Sequence, residues 1–177
     1  MRTATVNLPT ILTVSRIALI PVFLLLARDN PLGGIFFFLL AAATDFFDGY
    51  IARKSGQVTK LGILLDPIAD KLLIISALVL LVDMARISPW VAIVIIVREF
   101  LVTTLRLVAL SKNIIMPAEK SGKAKTVFQM VAIVFLLLPG GIGWLDFYDI
   151  GLIAIDLAVV LAIVSAVTYT IRFWRQI

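Results

Sequence analysis

The chain has 177 residues, of which 62% are hydrophobic, a net charge of +5, and neither His nor Cys. Its mean hydropathy of +1.11 is far above that of soluble domains, so a water-soluble helical bundle is set aside and lipid contact accounts for the surplus. Lacking Cys it has no disulfide or thiolate chemistry, and lacking His it must use carboxylates as general bases and metal ligands.

Apolar runs recur near 11–27, 33–52, 62–82, 89–110, 121–138 and 150–171. Most are about as long as the roughly 20 residues a helix needs to cross the hydrocarbon core. The expectation is an all-α integral membrane protein with six transmembrane helices, a single domain over 1–177. No cleavable signal peptide is expected, because the first apolar run has no small-residue cleavage site and reads as the first span. If the spans alternate, ten of the 16 Lys and Arg residues fall on one side: Arg2, Arg53, Lys54, Lys60, Lys112, Lys120, Lys123, Lys125, Arg172 and Arg175. The positive-inside rule then puts both termini and the 53–61 and 111–125 loops in the cytoplasm. These charges hug membrane ends rather than forming a soluble basic face, so no nucleic-acid partner is expected.

In chain order, residues 1–10 are polar, with Pro9 suited to a helix's first turn and Asn7 or Thr3 as caps. Arg16 lies one to two turns inside the first span, either snorkelling to lipid phosphates or serving a substrate. Arg28-Asp29-Asn30-Pro31 makes the first outer turn, and Gly33-Gly34 opens the second helix. That helix carries Asp45 and Asp48 in its cytoplasmic half, followed by the small residues Gly49 and Ala52, which permit either close helix packing or approach of a flat ligand. The third helix starts near Gly62 and holds Asp66 and Asp70, with Pro67 tolerated in its early turns. Lys71 either pairs with a carboxylate or snorkels.

The fourth helix holds Arg98, Glu99 and Arg106, the two arginines eight residues apart on one broad face. Glu99 can neutralise one of them. Next comes Lys120-Ser121-Gly122-Lys123-Ala124-Lys125-Thr126 at a helix start, where lysines and hydroxyls suit a phosphate; a loop cluster of this kind also serves as an orientation signal or lipid contact. Asp156 lies near the outer end of the sixth span and is assigned a structural or interfacial role. Arg172, Trp174 and Arg175 form an interfacial anchor.

Asp45 and Asp48 are three apart, and Asp66 and Asp70 four apart, so on helices each pair shares one face. Ionised acids at membrane depth cost several kcal/mol each unless compensated. Divalent cations are the economical compensation, and an all-carboxylate set selects Mg²⁺ or Mn²⁺, with Ca²⁺ a further option. Two metals bridged by shared acids suit displacement at phosphorus. Arg53 on one side and Arg98, Arg106, Lys123 and Lys125 on the other imply two anionic binding regions. The chemistry is then transfer of a phosphoryl-type group between two phosphate-bearing molecules, one of them a lipid.

The ungapped pattern Asp45-x2-Asp48-Gly49-x2-Ala52-Arg53-x8-Gly62-x3-Asp66-x3-Asp70 resembles the signature of the CDP-alcohol phosphotransferases. Asn7-Leu8-Pro9-Thr10-x-Leu12-Thr13-x-x-Arg16, Arg98-Glu99-Phe100 with Leu105-Arg106, and Gly122-Lys123-x-Lys125-Thr126 look like the phosphatidylglycerophosphate synthase branch. The resemblance implies a six-transmembrane-helix bundle, usually a homodimer, with its active site at the cytoplasmic face of the inner membrane. It implies that Asp45, Asp48, Asp66 and Asp70 hold two Mg²⁺ or Mn²⁺ ions and that Asp70 is also the general base. Gly49, Ala52, Arg53 and Gly62 would bind CDP-diacylglycerol, helped by Thr59 and by Thr10 or Thr13. Arg98, Arg106, Lys123 and Lys125 would hold the phosphate of glycerol 3-phosphate, and the products would be phosphatidylglycerophosphate and CMP.

Two other readings stand beside this one. The same chemistry can serve another acceptor, such as inositol phosphate, serine or phosphatidylglycerol; a phosphate-binding cluster disfavours serine. A divalent-cation transporter can also use four acids, but Arg53 would repel its cargo and no run of acids continues the path.

Overall fold

The computed structural model describes residues 8–55, 60–112, 114 and 120–176, and the side chains of 14–44, 69, 71–112, 114 and 124–175. Among the described residues six helices account for nearly all the structure: α1 (Leu8–Asp29), α2 (Pro31–Ser55), α3 (Lys60–Asp83), α4 (Pro89–Ser111), α5 (Lys120–Leu137) and α6 (Phe147–Gln176). Each apolar run in the sequence coincides with one of them, and most of the helices extend a few residues beyond the run into polar ends. The connection before α6 departs from the all-helical expectation with a small antiparallel hairpin, β1 (Gly141–Ile142) and β2 (Leu145–Asp146). Gly143 opens its two-residue turn at φ 63°, a conformation that favours glycine in tight hairpins. Asn7 and Thr3, expected as caps of α1, lie outside the described residues.

The chain divides into two compact units, Met1–Leu80 and Leu81–Ile177. In the first, α1 and α2 form an antiparallel hairpin joined through Asn30. Pro31 occupies the first position of α2, and the Asn30 side chain caps that helix by accepting from the Gly33 amide at 3.0 Å. The two helices approach closely where Gly34 meets Ala27: a Cβ on Gly34 would stand 2.4 Å from the Ala27 Cα. One turn further, Phe23 and Phe38 pack with ring centroids 5.6 Å apart. The buried stripe on α1 is Arg16, Ile20, Phe23 and Ala27, and on α2 it is Gly34, Phe38 and Ala41. These 4-3-4 and 4-3 steps are those of closely packed helix pairs.

In the second unit α6 is the central helix, packed against both α4 and α5. Its buried positions Gly151, Ile155, Ala158, Ala162, Ser165 and Tyr169 repeat at 3.5 residues and are mostly small, as in membrane helices whose backbones approach closely. At Gly151 a Cβ would come 2.9 Å from the Leu136 backbone nitrogen, so the last turns of α5 lie against the first turns of α6. The two helices are therefore antiparallel. By contrast, Arg98 meets Ser165 and Arg106 meets Tyr169, so α4 and α6 run parallel. α4 itself starts at Pro89, with the Ser88 hydroxyl accepting from the Trp90 amide. Beside its start, the Tyr148 hydroxyl donates to the Arg86 carbonyl.

The outward face of α6 carries Ile153, Leu157, Val160, Ile163, Val164, Val167 and Ile171, all exposed. An apolar stripe of that length on one helix is costly in water and natural in lipid. Among the described residues Phe147–Arg175 is the segment both long and apolar enough to span a bilayer, with a hydropathy of 2.7. α4, at 23 residues, carries Arg98, Glu99 and Arg106 in its interior. Aromatic and basic residues bracket α6: Trp144 and Tyr148 at one end, Trp174 and Arg175 at the other. Its 30 residues rise about 45 Å, the thickness of a bilayer with its headgroups.

Candidate functional site

The second unit gathers charged side chains of α4 and α5 with polar partners on α6. Glu99 on α4 accepts from Arg98 Nη1 at 3.1 Å and from Lys125 Nζ on α5. Arg98 Nη2 donates to Ser165 Oγ on α6 at 2.5 Å. Arg98 and Lys125 are 9% and 2% exposed, and Ser165 is wholly buried. Two turns further along α4, Arg106 Nη2 donates to the Tyr169 hydroxyl at 3.2 Å, and its guanidinium carbon stands 5.8 Å from that ring's centroid. Arg106 is exposed, while Tyr169 is buried beside Val102, Ala109 and Phe173. The expectation that Glu99 neutralises one arginine is met by Arg98, and Lys125 shares the same carboxylate oxygen. Arg106, which that pairing left unexplained, is held by Tyr169 instead.

Burying two cations with one anion does little for stability, because desolvation offsets most of the Coulomb gain. Leucine at these positions would pack an apolar helix more cheaply. Among the described residues the group brings together three cations and one carboxylate. Guanidinium and ammonium donors of this kind are chemically suited to an anion.

Gln129 lies one turn beyond Lys125 on α5, 1% exposed. Its side-chain nitrogen makes no hydrogen bond among the described residues. Sequence reasoning passed over Gln129, Ser165 and Tyr169. The available signal was their place on buried stripes: Lys125, Gln129, Ala132 and Leu136 on α5, and Ser165 and Tyr169 continuing the small-residue stripe of α6.

In the first unit, α2 is helical through Asp45 and Asp48, and α3 through Asp66 and Asp70. Each pair therefore shares a helix face, as its spacing requires. Gly49, Ala52 and Arg53 follow on α2, Gly62 lies on α3, Thr10 and Thr13 on α1, and Lys123 on α5. Thr59 is outside the described residues, as are the side chains of all these positions. Among the described residues no three acids or imidazoles gather. The donor set of the signature fits Mg²⁺ or Mn²⁺: four carboxylates, hard oxygen donors, on two regular helices, in a chain with no His or Cys.

Arg16 is wholly buried, so its guanidinium does not snorkel out to lipid. The hairpin register sets Ala27 against Gly34 and Phe23 against Phe38. Continued by the same steps, it sets Ile20 against Ala41 and brings backbone position 16 level with position 45. The first signature acid therefore lies level with a buried cation.

The helical architecture, with a buried charged group on α4 and α5 and acid pairs on α2 and α3, is that of a helical protein with long apolar segments. The family model for CDP-alcohol phosphatidyltransferase matches residues 6–170, and the chain belongs to that transferase family. It is 38% identical to the CDP-diacylglycerol–glycerol-3-phosphate 3-phosphatidyltransferase of Bacillus subtilis (strain 168), over 97% of each chain. It is 41% identical to the enzyme of that name from Rickettsia bellii, over 92% of this chain and 93% of that one. With its counterpart from Shigella flexneri serotype 5b it shares 38% identity, over 92% of each.

Proposed function

We propose that this protein transfers the phosphatidyl group of CDP-diacylglycerol to glycerol 3-phosphate, releasing CMP and forming phosphatidylglycerophosphate. The observation that carries the reading is the Arg98–Glu99–Lys125 group with Arg106, in a chain whose relatives bear that activity as their name. The guanidinium and ammonium donors of the group suit a phosphate monoester, which carries about −1.5 to −2 at pH 7. Serine as acceptor would bring no phosphate to these donors.

In this reading Asp45, Asp48, Asp66 and Asp70 hold two Mg²⁺ or Mn²⁺ ions, which when bound offset charge on the transferring phosphate and on the departing CMP. Arg53 with Gly49, Ala52 and Gly62 seats the CDP moiety, and Thr59, Thr10 and Thr13 line the same region. Arg98, Arg106, Lys123 and Lys125 hold the acceptor by its phosphate. Asp70 takes the proton of a glycerol hydroxyl, and that oxygen attacks the β-phosphorus of CDP-diacylglycerol. The new bond joins glycerol oxygen to phosphorus. The bond that breaks joins that phosphorus to the bridging oxygen, which leaves with CMP.

All six helices cross the inner membrane in this reading. Support comes from their lengths, from the alternation of α4, α5 and α6, and from the basic residues near the ends expected inside. Both termini and the active site then face the cytoplasm, and the chain works as a homodimer among membrane lipids.

Purified enzyme with CDP-diacylglycerol and Mg²⁺ is expected to release CMP when glycerol 3-phosphate is added. Release with inositol phosphate and none with glycerol 3-phosphate would overturn the acceptor.

A further inference from the structure

We propose that Ser165 and Tyr169 of α6 are positioning residues that hold the guanidinium groups of Arg98 and Arg106 for the phosphate of the acceptor. The inference rests on the reading of the basic group as the acceptor site and assigns to α6 a part in it.

Each arginine is held from the same helix by a different device. Ser165 Oγ accepts from Arg98 Nη2 at 2.5 Å, while Glu99 takes Nη1, so the planar fork is fixed on two sides. The Tyr169 hydroxyl accepts from Arg106 Nη2 at 3.2 Å, and the ring lies beneath the cation. Both anchors are themselves fixed by packing, Ser165 at 0% and Tyr169 at 3% exposure.

The spacing gives this arrangement its purpose. Arg98 and Arg106 are eight residues apart, about 12 Å along α4, but their anchors are four apart, about 6 Å along α6. Because the two helices run parallel, the anchors draw the two guanidinium groups toward one another. Two arginines left to themselves at that separation would splay to different levels of the membrane. Drawn together, they can address oxygens of a single phosphate. An arginine side chain also loses rotamer freedom when it is fixed on a ligand, and pre-fixed anchors remove that loss from the cost of binding. Satisfying a buried arginine would need Ser165 alone. It would not need a second anchor one turn on for Arg106, which is exposed.

The test uses the full-length purified enzyme and initial rates of CMP release. Tyr169→Phe keeps the ring and its packing but removes the hydroxyl; Ser165→Ala removes Oγ, and Ser165→Thr restores a hydroxyl. Each of the first two is expected to raise KM for glycerol 3-phosphate about three- to tenfold, the scale of one ordinary hydrogen bond lost. KM for CDP-diacylglycerol and kcat should stay within about twofold, and Ser165→Thr should recover most of the loss. Unchanged KM for glycerol 3-phosphate in both single variants overturns the proposal. Should Ser165→Ala fail to fold, Tyr169→Phe alone decides. Arg98→Lys and Arg106→Lys in the same assay test the acceptor site itself. If they leave that KM unchanged, the reading of the site falls; if they raise it while Ser165→Ala and Tyr169→Phe do not, only the positioning role falls.

Discussion

Lys125 on α5 donates to the Glu99 carboxylate on α4, a link between two helices that the sequence separates by a connection of eight residues. Arg98 uses the same oxygen. Glu99→Gln keeps the shape and one acceptor but removes the carboxylate charge that two buried cations share. Removing one partner of a buried ion pair costs about 3–5 kcal/mol, and less where water reaches it; the Glu99 side chain is 19% exposed. A loss of about 2–3 kcal/mol is expected, read as a fall of several degrees in melting temperature. Lys125→Met alone should also destabilise, and the double variant should lose less than the sum of the two. Strict additivity would mean that the pair contributes nothing.

Gly34 permits the closest approach of α1 and α2. In Gly34→Ala the new Cβ would stand 2.4 Å from the Ala27 Cα and 3.0 Å from its nitrogen, so the helices must separate. The expected cost is about 1–3 kcal/mol. Ala27→Gly should recover little of it, because the nearest obstacle is backbone. Full recovery in the double variant would show that only the Ala27 methyl group stood in the way.

The helices were legible because an apolar run of twenty residues has few other fates, and Pro31 and Pro89 mark two of the starts. Glu99 was legible as a counter-ion from its place beside Arg98. Lys125 as its second partner was not, since nothing in local spacing relates positions 99 and 125. Ser165 and Tyr169 were hidden for a different reason. Serine and tyrosine on a membrane helix usually satisfy backbone or interface groups, and only the parallel packing of α4 and α6 turns them toward arginines. The hairpin at Gly141–Asp146 has four strand residues, too few for an alternating pattern to register.

Arg16 offers a test of the α1–α2 register. If position 16 is level with position 45, Arg16→Met removes positive charge from beside the signature acids. Mg²⁺ or Mn²⁺ should then raise the melting temperature more than in the unmodified protein, because the ions take over that compensation. An added stabilisation of about 1 kcal/mol reads as about 2–4 °C for a chain of this size. Arg16→Lys, which keeps the charge, should behave like the unmodified protein. Equal metal-induced shifts in all three proteins would place Arg16 away from the acids.

Asp70→Asn separates the proton-transfer role proposed for this residue from substrate binding. With no His or Cys in the chain, the acceptor hydroxyl has few other bases, and Asn cannot take its proton. General-base catalysis contributes about 10²–10⁴-fold, so turnover should fall by at least that much. CDP-diacylglycerol binding should largely persist, since Arg53, Gly49 and Ala52 on α2 are untouched and Asp45, Asp48 and Asp66 keep their carboxylates. Loss of both turnover and binding would make Asp70 chiefly a metal ligand. Turnover near that of the unmodified protein would remove it from both roles, and the base would have to be sought among the other acids of α2 and α3.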